Sequence, residues 1–396
     1  MSPILAQGAF VRATATNFFF SLALNGFLLL PLHIKALGGT EVEIGVVMGL
    51  SSAVGIVSQP LIGPLVDALG RRPFMLIGVG LSLASAILAA AVPGIGVLAV
   101  VRVLQGLGFA SFFVAAFSYI VDIVPPERRG WALGIYGVSG FLPSAFAPLA
   151  GEWVIRHGSF RALFVLSAVF TLLPLGLVWS MREARPPGEA RLGLFEGARG
   201  GLEDVRQRHM ALAVFFGLGS GTIFAFVPTF AEELGVRALS LFYTAYALAA
   251  IGVRLAGGHL IDTRGRRAVI VPSSFVQAIA AALLAVVGLL VTRTSGVPVL
   301  PALAVAGLLS GGAHGFLYPG LAALVTDACA PGRRAWTLGV FSSMFLAGQA
   351  AGAFVFGWVS HAVGYGPMWS VLALVLFIGG ALATRLPAAP PRDEAG

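Results

Sequence analysis

Long apolar runs dominate this chain, and mostly short polar connectors separate them. The runs reach about 20 residues, the length that an α-helix needs to cross the hydrocarbon core of a bilayer. Only 11% of the residues are charged, against about 25% in a typical soluble domain. So few charged side chains cannot cover a water-facing surface. The sequence therefore predicts an all-α membrane protein with twelve transmembrane helices.

The predicted spans divide the chain into two halves. They cover residues 10–32, 43–66, 74–92, 97–122, 130–155, 161–181, 211–234, 238–261, 268–291, 299–324, 335–360 and 366–385. The connector from Arg182 to His209 is long and rich in Arg, Glu, Pro and Gly. We expect an N-terminal six-helix half at 1–181, a cytoplasmic linker at 182–210 and a C-terminal six-helix half at 211–396.

Arginine and lysine fall mainly in alternate loops, and an excess of positive charge marks cytoplasmic loops. The charge-rich loops include Arg71, Arg72, Arg128, Arg129, Arg264, Arg266, Arg267, Arg333 and Arg334. The charge-poor loops hold Lys35, Arg156, Arg161, Arg237 and Arg293. We therefore expect a multi-pass protein of the cytoplasmic (inner) membrane with both termini in the cytoplasm. The net charge of +8 then needs no nucleic-acid partner.

A polar phrase between two apolar runs occurs twice in the chain. GPLVDALGRR begins at Gly63, and GHLIDTRGRR begins at Gly258. SYIVDIVPPERRGWALG at 118–134 likewise matches ALVTDACAPGRRAWTLG at 323–339. These repeats indicate two copies of one six-helix unit in the same orientation. Parallel repeats of this kind are a known plan of membrane transporters.

With these motifs the chain resembles the major facilitator superfamily. The repeated phrase matches the family's motif between spans 2 and 3. The fourth span carries Arg102, Gln105, Gly106 and Gly108, similar to the family's RxxQGxG motif. The fifth span is only loosely similar to the Gly-Pro motif of drug–proton antiporters. The resemblance implies the major facilitator fold and a monomer as the working unit, and the motifs are most similar to drug and sugar-efflux permeases.

The resemblance also implies a role for the repeated phrase as a conformational latch on the cytoplasmic side. The network would comprise Asp67, Arg71, Arg72 and Asp122 in the first half, and Asp262, Arg266, Arg267 and Asp327 in the second. The alternative is that these arginines only determine topology, since positive charge is retained on the cytoplasmic side.

Several polar residues fall inside predicted spans, where charge is costly and indicates a functional site. Residues four or three positions apart share a helix face, which pairs His314 with Tyr318 and Arg102 with Gln105. The resemblance places spans 1, 4, 7 and 10 around the central cavity. The predicted substrate-binding residues are Asn25, Arg102, Gln105, Arg254, His314 and Tyr318. A purely structural role remains the alternative for each of them: outward snorkelling for Arg102, and helix packing or an interdomain contact for the others.

No aspartate or glutamate lies at the centre of a predicted span. The candidates for proton coupling are therefore Glu152, near the outer end of span 5, and His314, because histidine titrates near neutral pH. For Glu152 the alternative is a charge at the outer rim.

The sequence lacks a phosphate-binding loop, a dinucleotide fingerprint and a Cys/His metal pattern, so we expect no enzyme, cofactor or metal. The main prediction is a secondary active transporter that moves a small organic solute by alternating access, as proton-coupled efflux. The alternative is an organic-anion or metabolite carrier with Arg102 and Arg254 as counter-charge, favoured by the missing midspan carboxylate. A non-transporting membrane sensor would need a signalling domain. The expected partners are a small organic substrate, membrane lipid and protons.

Overall fold

The described residues form twelve helical spans. The computed structural model describes residues 3–125, 128–184, 208–236, 238–291, 298–327 and 334–387. The spans are, in order, span 1 (Pro3–Asn25, Gly26–Leu29 and Leu30–Ala36), span 2 (Glu41–Leu69), span 3 (Arg71–Ala91), span 4 (Ile95–Ile123), span 5 (Arg129–Phe141, Leu142–Ala145 and Ala147–His157), span 6 (Phe160–Ser180), span 7 (Arg208–Glu233), span 8 (Ser240–Thr263), span 9 (Arg266–Val291), span 10 (Val299–Asp327), span 11 (Arg334–Val363) and span 12 (Tyr365–Ala383).

The described helices confirm the predicted all-α membrane architecture. Eleven are long and apolar enough to cross a bilayer, and span 8 contributes a shorter apolar stretch, Ser240–Leu255. Most of the predicted linker lies outside the described residues, so the boundaries proposed for it stay a prediction.

Spans 1 and 5 are each broken near the middle by a short 3-10 segment. The segments are Gly26–Leu29 and Leu142–Ala145. Pro31 follows the first break, Pro143 lies within the second, and Pro148 follows the second. Proline has no N–H to donate and clashes with the preceding helical turn. The hydropathy of these spans does not reveal the breaks, because the flanking residues are equally apolar.

The connectors are built from residues that cap helices or turn the backbone. Span 2 begins with a capping box in which the Thr40 side chain accepts from the Glu43 N–H and Glu43 accepts from the Thr40 N–H. Gly70 and Gly265, in the two copies of the repeated phrase, have φ angles of 103° and 84°. Glycine adopts such angles without strain. The repeated phrase is thus a tight turn between two spans in each half.

The two faces of the bundle differ in how the halves are packed. The face where span 1 begins and span 12 ends is called here the terminal face, and the other is called the opposite face. One buried apolar cluster lies toward the opposite face and takes residues from both halves, among them Leu30, Ile44, Leu98, Phe226, Tyr243 and Trp369.

Toward the terminal face, each half has a buried cluster of its own. The cluster of the N-terminal half includes Phe20, Met75, Phe112, Ile120 and Val178. The cluster of the C-terminal half includes Met210, Ile270, Leu317, Phe341 and Ala383. In the described residues, the halves therefore share a core at the opposite face and have separate cores at the terminal face.

Candidate functional site

Spans 2 and 11 make the closest helix contact between the halves. A Cβ atom on Gly45 would collide with the carbonyl oxygen of Ala353, and one on Gly357 would lie 2.8 Å from the Glu41 carbonyl oxygen. Small residues allow two backbones to approach this closely. Because Gly45 lies in the first turns of span 2, this close packing lies toward the opposite face.

Glu152 bridges the two halves at the same face. It lies in the second helix of span 5 and is only 7% exposed. Its carboxylate accepts hydrogen bonds from the Ser240 N–H at 3.1 Å and the Ser240 hydroxyl at 2.6 Å. Ser240 is the first residue of span 8, where the helix dipole favours a negative charge. Arg156, on the same helix as Glu152, lies 3.9 Å from the carboxylate.

Other polar contacts between the halves accompany this pair. The Thr244 hydroxyl donates to the Ala145 carbonyl at 2.5 Å, at the break in span 5. The Ser52 hydroxyl donates to the Gln349 side chain at 3.1 Å. An ion pair joins Lys35 to Glu232 at 3.7 Å, and the His361 ring nitrogen Nδ1 lies 3.3 Å from the Glu41 carboxylate. These contacts come from spans 1, 2, 5, 7, 8 and 11, on the side of each span that lies nearer the opposite face. Ser52 is the contact residue nearest the midplane.

His314 lies in the middle of span 10 and is enclosed by aromatic rings. The centroids of these rings lie between 5.0 and 6.4 Å from the centroid of the His314 ring. They belong to Phe141, Phe216, Tyr246, Tyr318 and Phe345. These five residues and His314 are called here the aromatic cage. The cage lies at the level where the shared core ends and the separate cores begin, since it contains Tyr246 of the former and Phe216 and Phe345 of the C-terminal core.

Arg254 of span 8 lies beside the aromatic cage. Its guanidinium carbon is 4.8 Å from the centre of the Phe141 ring, a cation–π geometry. Phe141 belongs to the N-terminal half, so this contact also joins the two halves. Arg254 interacts electrostatically with Tyr246, Tyr318 and His314. The structure thus brings together three of the predicted substrate-binding residues, Arg254, His314 and Tyr318.

The other predicted substrate-binding residues lie elsewhere and have partners in the N-terminal half. Arg102 donates to the Gln105 side chain at 2.9 Å, to the Ser51 hydroxyl at 2.6 Å and to the Met48 carbonyl at 3.1 Å. Arg102 therefore ties span 4 to span 2. Asn25 donates to the Ser21 carbonyl one turn earlier in its own helix, at 2.7 Å. The Asn25 bond fits the packing role named as its alternative, whereas the bonds of Arg102 run to spans 2 and 4, a structural role different from the outward snorkelling named for it.

The predicted latch residues of the first half form a compact charge network at the terminal face. Arg71 is 3.0 Å from Asp67 and 2.9 Å from Asp122, and its side chain is only 6% exposed. It also donates to the Val66 carbonyl at 3.3 Å. Arg72 donates to the Trp179 carbonyl at 2.7 Å. The network joins the ends of spans 2, 3, 4 and 6.

The second half repeats part of this geometry in a more exposed setting. Arg266 is 3.0 Å from Asp327, and these side chains are 25% and 57% exposed. Arg266 also donates to the Ile261 carbonyl at 2.6 Å, five residues earlier, as Arg71 does to Val66. Arg267 follows at the start of span 9, and the side chain of Asp262 lies outside the described residues.

Several residues that complete these sites carry no signal in the sequence. Glu183, after span 6, accepts from the backbone N–H groups of Arg71 and Arg72 at 2.9 and 3.0 Å. Phe141 and Tyr246 belong to apolar runs that contain many other aromatic residues. Ser240, the partner of Glu152, lies in the other half of the chain. The internal repeat places spans 5 and 8 in the fold but does not pair individual side chains.

The described residues form two parallel six-helix halves that share a core at one face and have a polar and aromatic site between them. This arrangement is typical of membrane transport proteins. The sequence profile of the Major Facilitator Superfamily matches residues 13–300 and 210–396. The staphylopine export protein of Staphylococcus aureus (strain Mu50 / ATCC 700699) is 23% identical over 383 residues, 92% of each chain. Multidrug resistance protein MdtL of Shewanella sp. (strain ANA-3) is 29% identical over 149 residues, 37% of each chain.

The solved structures agree with this assignment at the level of the fold. A crystal structure of the nucleoside transporter NupG, in its D323A mutant, superposes with a TM-score of 0.79 at 14% identity, over 95% of this chain and 99% of that one. The chain belongs to the Major Facilitator Superfamily. It is a multi-pass membrane transporter of small solutes and not an enzyme, and its relatives include efflux proteins.

Proposed function

We propose that the protein exports a small organic solute across the cytoplasmic membrane by alternating access, coupled to proton movement. The observation that carries the proposal is the asymmetry of the core. The halves share buried side chains at the opposite face and have separate cores at the terminal face. A transporter caught open to one side of the membrane has this arrangement, and rocking of the halves would expose the site to the other side.

The direction of opening follows from topology. The arginine-rich turns at Arg71 and Arg266 lie at the terminal face, and positively charged loops are retained in the cytoplasm. We infer that this face is cytoplasmic, with both termini there, and that the structure is inward-facing. The latch predicted at Asp67, Arg71 and Asp122 would then hold the cytoplasmic ends of spans 2, 3 and 4 as one unit during rocking.

Glu152 is our first candidate for the coupling group. In the inward-facing state its carboxylate accepts two hydrogen bonds from Ser240 across the halves. Hydrogen bonds to an ionised acceptor are roughly twice as strong as neutral ones. Protonation of Glu152 from the outside would weaken this bridge and favour opening of the opposite face. His314, inside the aromatic cage, is the second candidate.

The test is substrate-evoked proton movement in proteoliposomes that enclose a pH-sensitive dye. A lipophilic cation, a neutral sugar and an organic anion are added in turn, under an imposed pH gradient. We expect at least one of them to evoke proton flux, and Glu152→Gln to reduce that flux at least about tenfold. The matched control is Glu43→Gln, which neutralises another carboxylate near the opposite face that caps its own helix.

Substrate exchange without any proton movement would contradict proton coupling and leave a uniporter or another coupling ion. Loss of flux in both variants would remove Glu152 as the coupling group.

A second candidate function is carriage of an organic anion or metabolite. The observation that favours it is the cation beside the aromatic cage. Arg254 is in no salt bridge within the described part of the chain. In Arg102 both terminal amino groups of the guanidinium already donate, to Gln105, Ser51 and the Met48 carbonyl, and only Nε has no partner there. Of the two predicted counter-charges, Arg254 is therefore the one we assign to the substrate.

A further inference from the structure

Three buried polar atoms without a partner among the described residues lie at the aromatic cage or next to it. His314 Nδ1, the Tyr246 hydroxyl and Arg254 Nε are buried and have no hydrogen-bond partner within the described ranges. His314 and Tyr246 are themselves 9% and 3% exposed. Folded proteins leave few buried polar groups unsatisfied, and each such group calls for an explanation. Three of them around one ring cluster indicate a site whose polar contacts are completed by a ligand.

The charge at this site is positive. Among the residues that the structure describes, no carboxylate pairs with Arg254, and its charged group contacts the face of the Phe141 ring instead. An ionised group inside a membrane protein usually pairs with a partner or lines a substrate pathway. A ligand with a negative charge would supply the missing partner.

We propose that the aromatic cage binds a planar aromatic carboxylate. The carboxylate pairs with Arg254, and the aromatic ring of the ligand takes the place of Phe141 against His314 and Tyr246. This inference rests on the proposed transport function and names the substrate class of the same site. A planar guanidinium matches a carboxylate through two parallel hydrogen bonds. Rings from four spans supply stacking and edge contacts for a planar ligand.

Phe141 gives this site a link to rocking of the halves. Of the five rings around His314, it is the one contributed by the N-terminal half, and it directly precedes the 3-10 break in span 5. It stacks on Tyr246 with centroids 6.3 Å apart and an interplanar angle of 16°. A carboxylate that displaces Phe141 from Arg254 removes a contact between the halves at the level where their cores separate.

The test uses three probes that share one ring system and differ in charge. They are 2-naphthoate, 2-naphthylmethanol and 2-naphthylmethylammonium, and binding to the purified full-length protein is measured by equilibrium dialysis at neutral pH. We expect 2-naphthoate to bind at least about tenfold more tightly than the alcohol, and the ammonium compound to bind most weakly. This preference is the signature of an unpaired cation beside an aromatic site.

Three variants identify the residues responsible. Arg254→Gln is expected to abolish the preference for 2-naphthoate over the alcohol, while Arg161→Gln, at an exposed position at the start of span 6, preserves it. Phe141→Leu is expected to tighten binding of 2-naphthoate a fewfold, because the ring that competes for Arg254 is gone. This variant keeps an apolar side chain, so it tests the proposal even where Arg254→Gln does not fold.

Equal binding of all three probes, tightest binding of the ammonium compound, or an unchanged preference in Arg254→Gln would each overturn the proposal. The outcome is separable from that of the transport function. Proton flux with another compound and no preference for 2-naphthoate would refute only the substrate class. Specific 2-naphthoate binding without substrate-evoked proton flux would refute only proton coupling.

Discussion

The opposite and terminal faces of this protein are built from the same twelve spans but are stabilised in different ways. At the opposite face, contacts run between the halves: apolar burial, glycine-mediated helix packing and the Glu152–Ser240 bridge. At the terminal face, the strongest polar contacts run within each half, around Arg71 and Arg266. The contacts that must break during rocking are therefore distinct from those that keep each half rigid.

The two halves also differ from one another at the terminal face. The Arg71–Asp122 pair is nearly buried, and the Glu183 carboxylate accepts from the backbone N–H groups of Arg71 and Arg72, whereas the Arg266–Asp327 pair is much more exposed. A repeated sequence phrase has thus produced two ion pairs in different dielectric surroundings. Buried pairs are costly to break on one side only, whereas exposed pairs contribute little.

The largest effect is expected from Arg71→Gln. The substitution removes the cation that pairs with Asp67 and with the largely buried Asp122, at a cost of about 3 kcal/mol of unfolding free energy. Arg266→Gln is the matched variant in the other half and is expected to cost about 1 kcal/mol or less. Thermal unfolding of both variants in detergent measures the difference, and equal destabilisation would contradict the contrast between the two networks.

Gly45→Leu tests the contact between spans 2 and 11 at the opposite face. A side chain there collides with the span 11 backbone at Ala353, and overpacking of this kind costs about 1–3 kcal/mol. We expect a corresponding shift away from the inward-facing state and a loss of transport of about tenfold or more. Gly80→Leu in span 3 is the control, because a Cβ atom at Gly80 meets no atom within 4 Å. Transport should stay near the wild-type rate in the control, and equal losses in both would argue against a specific helix contact.

Ser240→Ala tests the polar bridge at the same face. It removes the hydrogen bond from the Ser240 hydroxyl to Glu152 but keeps the one from the backbone N–H. We therefore expect the closed state of the opposite face to be destabilised by about 1–2 kcal/mol. Alkylation of a cysteine placed at Leu239, which is buried beside Ser240 in the shared core, reports that opening in a Cys329→Ser background. Ser180→Ala, whose hydroxyl donates only to the Leu177 carbonyl near the terminal face, should leave the alkylation rate unchanged. An equal rate increase in this control would exclude a specific bridge.

The smallest effect is expected from Lys35→Ala. Its ion pair with Glu232 joins the halves, but the two side chains are 34% and 51% exposed. Exposed ion pairs contribute about 0–1 kcal/mol and are screened by salt. The transport rate of this variant should stay within about twofold of the wild-type rate. The difference between the two rates should become smaller at high salt. A tenfold loss would indicate that exposed charge, rather than burial, holds the opposite face closed.

The architecture could be predicted from the sequence because it depends on signals that every span carries. Length and hydropathy predict the helices, and the repeated phrases predict two parallel halves. The breaks at Gly26–Leu29 and Leu142–Ala145 were missed, since proline is common in membrane helices and its local effect depends on neighbouring spans.

The candidate site was predictable only in part. Arg254, His314 and Tyr318 stand out because they are polar within apolar runs. Phe141 and Tyr246 do not, because aromatic residues are frequent throughout the spans and only tertiary packing selects those around His314. Arg102 looked equivalent to Arg254 in sequence, and the difference arises from its three polar neighbours in spans 2 and 4.

The central claim is that the halves are joined at the opposite face, separate at the terminal face, and exchange these roles during transport. Double electron–electron resonance on two spin-label pairs between spans 5 and 8 tests it most directly. One pair replaces His157 and Leu241 at the opposite face, and the other replaces Trp131 and Thr263 at the terminal face, both in a Cys329→Ser background in nanodiscs. We predict a short, narrow distance distribution for the first pair and a longer one for the second, with opposite shifts when the Gly45→Leu substitution is added. A short distance at the terminal face in the unmodified protein, or shifts of the same sign at both faces, would contradict the account.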